Sequence, residues 1–274
     1  MSHEQTQPGP SARSTVGLLE AVAELLVDAY PEERPETVVT NIRTWGRQLA
    51  ARIAPDMSTR HRLTMLQHFF FDELGFHGNV DGYDDAENSY LNRVIERRTG
   101  IPISLSLIYI ELGSAIGLRL GGVSFPGHFL VRAPLTEGVV ILDVFNGGLT
   151  LSEQDLRKRL HAALQGEPAR PLTDYLRAAS DADILVRWLR NLKALYASAG
   201  NWNQLLKVMH RLIAAVPDVP DERLVRALAY ERLRCPRAAA DELETYLRLH
   251  PQAADSAALR ARLDQLQRAT RSLH

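Results

Sequence analysis

His128, in the run FPGHFLVR, and Asp143, in ILDVFNGG, are the two side chains whose types and separation point most directly to chemistry. A histidine oriented by a carboxylate is a general base. Set beside a helix that offers a thiol or hydroxyl, such a pair makes an acyl-transfer site. The chain has that helix upstream, in GIPISLSLIYIELG from Gly100 to Gly113. Near its start lie Ser104 and Ser106, and either hydroxyl would need His128 within hydrogen-bond reach to be activated. The same hydroxyls also suit capping, or a polar seam in a buried helix. The single cysteine, Cys235, precedes Pro236 far along the chain and reads as an ordinary turn residue. One cysteine permits no intrachain disulfide and no multi-cysteine metal site. His61, His68, Asp72 and His77 contain one i,i+4 pair, His68 and Asp72, but no third ligand at fixed spacing. They read as surface or capping residues, and neither a metal nor a cofactor is expected. Gly121-Gly122 and Gly147-Gly148 lack the strand–loop–helix context of a phosphate loop.

The elements that must position these residues follow from periodicity. Ser14 is placed to cap a helix reaching Tyr30, and Glu36 to about Ile53 shows a second apolar stripe through Val39, Ile42, Trp45 and Leu49. A third helix is expected from Ser58 to Leu74, ended by Gly75, and a fourth from Asn88, ended by Gly100. After the apolar helix, which Gly121-Gly122 should break, the period shortens to two. Val123–Phe125, Phe129–Arg132 and Val139–Val144 then read as strands, and Asn146-Gly147-Gly148 as a hairpin turn. Ser152 to Asp155 looks like a capping box opening another helix. Helices segregated from an antiparallel sheet predict an α+β domain.

Tyr196 and Tyr230 stand 34 residues apart, as do Leu205 and Ala239, Met209 and Leu243, Leu212 and Tyr246, and Pro217 and Pro251. That is the period of the tetratricopeptide helix–turn–helix. Two such units bury their faces poorly alone, so they should lean on the preceding domain, with Ala257–Leu266 as a closing helix. The resulting division is a disordered tail over 1–13, a core domain with N-terminal helices over 14–160, a linker over 161–178 and helical repeats over 179–274.

Of the 274 residues, 45% are hydrophobic and 24% charged, and the formal net charge is -1. These are globular values with no basic footprint for nucleic acid or anionic lipid. No apolar run reaches the roughly 18 residues of a spanning helix, and the opening MSHEQTQPGPSARS has no apolar signal core. The expected location is the cytoplasm, with no nucleic-acid or membrane partner.

FFFDELGFHGN, NSYLNRVIERRTGIPISLSLIYIELG, GVSFPGHFLVR and ILDVFNGG together resemble the bacterial SirB-type proteins. That group is transglutaminase-like with a tetratricopeptide tail and has relatives among eukaryotic F-box proteins. The resemblance covers about residues 15 to 160, plus the repeats behind them. It implies a papain-like core with His128 as general base and Asp143 as its orienting carboxylate. In the wider superfamily a cysteine stands at the start of the central helix, about fifteen residues before the glycine that ends it. Counted back from Gly117, that position holds Pro102, which has no nucleophilic atom. Ser106, one turn beyond Pro102, shares its face, while Ser104 lies nearer the helix start.

Two functions follow as expectations. The leading one is a non-catalytic regulatory protein, a pseudoenzyme whose repeats hold a partner protein or peptide. Tyr196, Trp202 and Tyr230 are its candidate contacts in the tail, with Asn88 and Glu96 lining the His128 cleft. The alternative is a hydrolase or acyl-transferase that uses Ser104 or Ser106 with His128 and Asp143. The oligomeric state stays open.

Overall fold

The computed structural model describes residues 17–271, so the expected tail over 1–13 and the cap at Ser14 lie outside the described residues. The first helix, α1, runs over Leu18–Ala23 and tightens into a 3-10 turn at Glu24–Asp28. Helix α2 covers Pro35–Ala50. Helix α3 covers Thr59–Gln67, where the Ser58 hydroxyl caps the first turn by accepting from the His61 N–H at 3.3 Å. It widens into one π-helical turn, His68–Glu73, before Gly75 ends it in the left-handed region.

The fourth helix departs from expectation at both ends. Helix α4 covers Leu91–Arg97 behind Tyr90, and Asn88 sits one turn earlier, in a 3-10 segment at Ala86–Ser89. Arg98, at φ 57°, makes the left-handed stop expected of Gly100. Gly100 is needed elsewhere. Strand β1, His77–Gly78, pairs in parallel with β2, Thr99–Gly100, in register His77 with Thr99 and Gly78 with Gly100. That pairing ties the chain just ahead of α5, Pro102–Ala115. Helix α5 is apolar on nearly every side because it is buried nearly all round, as a central helix must be.

Gly117, not Gly121-Gly122, turns the chain after α5, and the two later glycines open the sheet. Strands β3 (Gly121–Val123), β4 (Leu130–Leu135), β5 (Gly138–Asp143) and β6 (Leu149–Leu151) form an antiparallel sheet in chain order. Its period-two pattern is used on both faces. Val131, Ala133 and Leu142 join the core around α5. Val123, Leu130, Ile141 and Leu151 face a second cluster with Leu156 and Leu160 of α6, Glu153–Leu164. Phe125 and Phe129 fall outside the strands, flanking the turn that carries His128. The α+β class read from the sequence is borne out.

The segment expected to be a linker is structured instead. Helix α6 continues to Leu164, and a short α7, Leu172–Tyr175, follows. Leu172, Tyr175 and Leu176 pack on the second cluster, and the Ala179 N–H donates to the Gly122 carbonyl at 2.8 Å. Apolar side chains at helical spacing outweigh the prolines nearby.

Two helical hairpins follow, α8 (Asp181–Ser198) with α9 (Trp202–Ala215) and α10 (Asp221–Arg232) with α11 (Pro236–Leu249). Helix α12, Ser256–Arg271, closes the array over a longer span than Ala257–Leu266. The first hairpin is continuous with the main core through Ile184, Leu189, Leu192, Leu205 and Leu212. Trp188 is fully buried and its Nε1 donates to the Ser89 carbonyl at 2.9 Å.

Two consequences are testable by unfolding. Gly147 and Gly148 both have positive φ, but only at Gly148 would a Cβ collide, 2.7 Å from the Phe71 ring. Gly147→Ala is expected to cost about 1–2 kcal/mol of stability, and Gly148→Ala to cost measurably more in urea denaturation. A chain ended at residue 170 loses Trp188, Leu189 and Leu192 from its core, so it should show no cooperative thermal transition by near-ultraviolet circular dichroism.

Candidate functional site

Asp143 ends β5 and His128 lies just before β4, so the register pairing Val131 with Leu142 sets them side by side. The His128 Nε2 sits 2.8 Å from Asp143 Oδ1. The same carboxylate accepts from the Asn146 backbone N–H at 3.3 Å, the Asn146 side-chain amide at 2.7 Å and the Arg159 guanidinium of α6 at 2.7 Å. The Asp143 side chain is fully buried. Burial alone pushes its carboxyl upward, but His128, Asn146 and Arg159 together hold it at about 2. The charge is thus retained, and the Asp143 bond leaves Nδ1 as the free nitrogen of the His128 ring, without a hydrogen-bond partner among the described residues. An imidazole that donates its Nε2–H to a carboxylate keeps its lone pair on Nδ1, the atom a general base uses.

The turn bearing His128 is braced from α8. Arg187 donates to Ser124 Oγ at 2.9 Å, to the Phe125 carbonyl at 2.9 Å and to the His128 carbonyl at 2.7 Å. On the opposite side the His128 ring meets Phe145 edge-on at 6.0 Å, and Phe145 meets Tyr83 at 5.8 Å. Asn88 fixes that wall. It accepts from the Asn79 amide at 2.9 Å and donates to the Gly82 carbonyl at 2.7 Å and the Tyr83 carbonyl at 3.4 Å. In place of a cap, the buried Asn88 side chain therefore holds the loop that seats Tyr83. Gly78 completes the packing, since a Cβ there would lie 2.6 Å from the Phe145 carbonyl oxygen.

The hydroxyls of α5 do not join His128. Ser104 Oγ accepts from the Ile101 N–H and donates to the Ile101 carbonyl, both at 3.1 Å, and so completes the helix start behind Pro102. Ser106 Oγ is buried without a hydrogen-bond partner among the described residues, as is the Tyr109 hydroxyl.

The remaining candidates are dispersed. Glu96 is exposed and pairs with Arg93 at 2.7 Å. Tyr196 is buried, its hydroxyl 2.7 Å from that of Tyr90, so it is a core residue between the first hairpin and the rest of the chain. Trp202 lies under the Arg232 guanidinium at 5.4 Å, and the Tyr230 hydroxyl is 3.0 Å from His210 Nε2. His68 pairs with Asp72 at 2.8 Å, His61 lies 3.1 Å from Ser58 Oγ and His77 lies 3.1 Å from the Gly75 carbonyl. Cys235 is exposed at the start of α11. Among the described residues no helix is long and apolar enough to cross a membrane.

Sequence reasoning missed Arg159, Arg187, Phe145 and Tyr83. Arg159 and Arg187 stand on helices distant in sequence and carry no local signal. Asn146 was visible only as a turn residue, although an amide three positions after a carboxylate is itself a turn pattern that folds back on it.

Residues 36–190 match the model of the transglutaminase-like superfamily, and residues 192–264 match that of the tetratricopeptide repeat. A UPF0162 protein of Xylella fastidiosa is 37% identical over 239 residues, covering 86% of this chain and 85% of that protein. A UPF0162 protein of Pseudomonas aeruginosa is 32% identical over 264 residues, 96% of each. The human F-box only protein 21 is 40% identical over 84 residues, 31% of this chain and 13% of that protein. No solved structure matches.

The electrostatics of Asp143 set a pH dependence. Its folded value, about 2, lies below the ordinary 3.8, so folding favours the ionised form. The stabilisation is complete above the ordinary value and fades as pH falls through the folded one, a swing of about 2 kcal/mol. Urea unfolding from pH 6 to pH 2 should show this loss in the native chain. In Asp143→Asn, already weakened at neutral pH, the corresponding slope should be absent.

Proposed function

The chain belongs to the transglutaminase-like superfamily and to the UPF0162 bacterial proteins, and from that premise we propose that it is a non-catalytic binding protein. Its His128–Asp143 pair secures the fold instead of driving a reaction. The observation that carries this reading is the start of α5. Pro102 opens the helix at the place that the resemblance gives to the superfamily's nucleophile, and the Ser104 hydroxyl in the same turn is committed to its own backbone at both donor and acceptor. The polar cluster at Asp143 is satisfied from three separate segments, the pattern of a buried strut. The repeats supply the binding surface, because tetratricopeptide arrays act through contact with protein segments. A regulatory role of the SirB type in the cytoplasm fits this reading.

A second reading rests on one specific observation. Ser106 is buried on the face of Pro102, and among the described residues neither its hydroxyl nor His128 Nδ1 has a hydrogen-bond partner. If the helix shifted to join them, they would form a serine acyl-transfer site with Asp143.

Covalent probes separate the two. The native chain should take no fluorophosphonate label at Ser104 or Ser106; labelling that disappears in Ser106→Ala would establish the acyl-transfer reading. The ancestral geometry has its own test in Pro102→Cys. A thiol at a helix start beside His128 gains thiolate character, so iodoacetamide should alkylate it roughly tenfold faster at pH 7 than in Pro102→Cys combined with His128→Ala. Equal rates would remove Pro102 from the nucleophile position.

A further inference from the structure

A cavity of about 620 Å³ lies between the His128 turn and α8, within the roughly 300–1,000 Å³ of ordinary ligand sites. Ser124 and Gly127 of the turn line one part, and Arg170, Arg177, Arg187 and Arg190 supply its charge. Two aspartates, Asp174 and Asp183, also face it, but both are engaged. Asp174 pairs with Arg177 at 2.8 Å. Asp183 accepts from the Ser180 hydroxyl at 2.6 Å and from its N–H at 3.2 Å, capping α8.

The arginines are less well compensated. Arg187 meets Ser124 Oγ, the carbonyls of Phe125 and His128 and, at 5.7 Å, the Phe129 ring, so among the described residues this half-buried cation has no carboxylate partner. Arg170 stacks over the Tyr175 ring at 5.1 Å and likewise has no carboxylate partner among the described residues. Arg190 reaches Glu222 only at 3.4 Å and shares it with Lys193. A concave site with four guanidinium groups and two already engaged carboxylates attracts anions, and planar guanidinium forks match carboxylates in particular.

We propose that this cavity docks an acidic segment of a partner protein, with Asp or Glu carboxylates received by Arg170 and Arg187. The inference rests on the binding-protein reading and gives that partner its chemistry. Position favours a peptide over a free anion. The cavity is walled by α8, the first helix of the repeat array, and opens beside the turn that carries His128. A segment lying in it would therefore touch the repeat tail and the transglutaminase-like core together.

Fluorescence anisotropy on the full chain tests this, with fluorescein-labelled hexaglutamate as probe and labelled hexaglutamine as the neutral control. Hexaglutamate should bind saturably and weaken as salt rises, and hexaglutamine should not bind. Arg170→Glu, on the rim and outside the braces of the His128 turn, should weaken binding roughly tenfold or more at unchanged melting temperature, as reversing one charge of a close pair does. Arg187→Gln should weaken it too but also destabilises the turn, so Arg170→Glu is the deciding variant. Absence of hexaglutamate binding, or binding untouched by Arg170→Glu, would overturn the proposal. So would pyrophosphate displacing the peptide at concentrations where glutamate does not, which would assign the cavity to a phosphate ligand. None of these outcomes bears on the covalent-probe tests, so a catalytic Ser106 and an empty cavity are separately readable.

Discussion

The buried carboxylate of Asp143 is the constraint from which the site's architecture follows. Removing such a charge from water costs several kcal/mol unless it is met by partners of good geometry. Here the partners come from three places: His128 before β4, Asn146 in the turn after β5, and Arg159 on α6. His128 and Asn146 lie in turns that the carboxylate holds, and Arg159 ties α6 to the same point. The DVFNGG turn is held further by Gln67, whose amide donates to the Gly148 carbonyl at 3.0 Å. The His128 turn is held by Arg187. A single ion therefore joins the end of β5, the turns before β4 and after β5, and α6 at one point.

Around that point the layers are simple. Helix α5 lies against one face of the sheet and α6 against the other, and the two faces use alternate residues of the same strands. Helix α5 carries no amphipathic pattern because it has almost no solvent face. Its start is set by the β1–β2 pairing, by Pro102 in the first turn and by Ser104 bonding back to Ile101. A serine used in this way is a structural terminus, which is why hydroxyl position along a helix says little about nucleophilicity until its partners are known.

The repeat tail is joined to the core instead of hung from it. Trp188 and Tyr196 of α8 bond to Ser89 and Tyr90, and Arg211 of α9 reaches Asp28. Further out the array relies on charge. Glu222 meets Arg190 and Lys193, and Glu242 meets Arg223 and Arg226. Burial declines along the tail until α12, which has no fully buried residue. The outer helices thus depend on nearest-neighbour contacts alone, as repeat arrays do.

Local pattern determined the α+β class, the succession of helices before the sheet, the NGG turn, the Ser152 cap and the 34-residue repeat. These are local signals, set by backbone geometry over a few residues or by direct self-similarity. The pairing of His128 with Asp143 was expected from the family resemblance, and the structure brings the two together at 2.8 Å. What tertiary structure decided was partnership. Arg159 and Arg187 reach the site from helices whose sequences carry no mark of it. Asn88 proved to be a loop anchor where a cap was expected, Tyr196 a core residue where a contact was expected, and residues 161–178 a packed segment where a linker was expected. In each case the residue type was compatible with several roles. Only the position of distant chain could select among them, since a polar or aromatic side chain takes its function from the atoms that surround it.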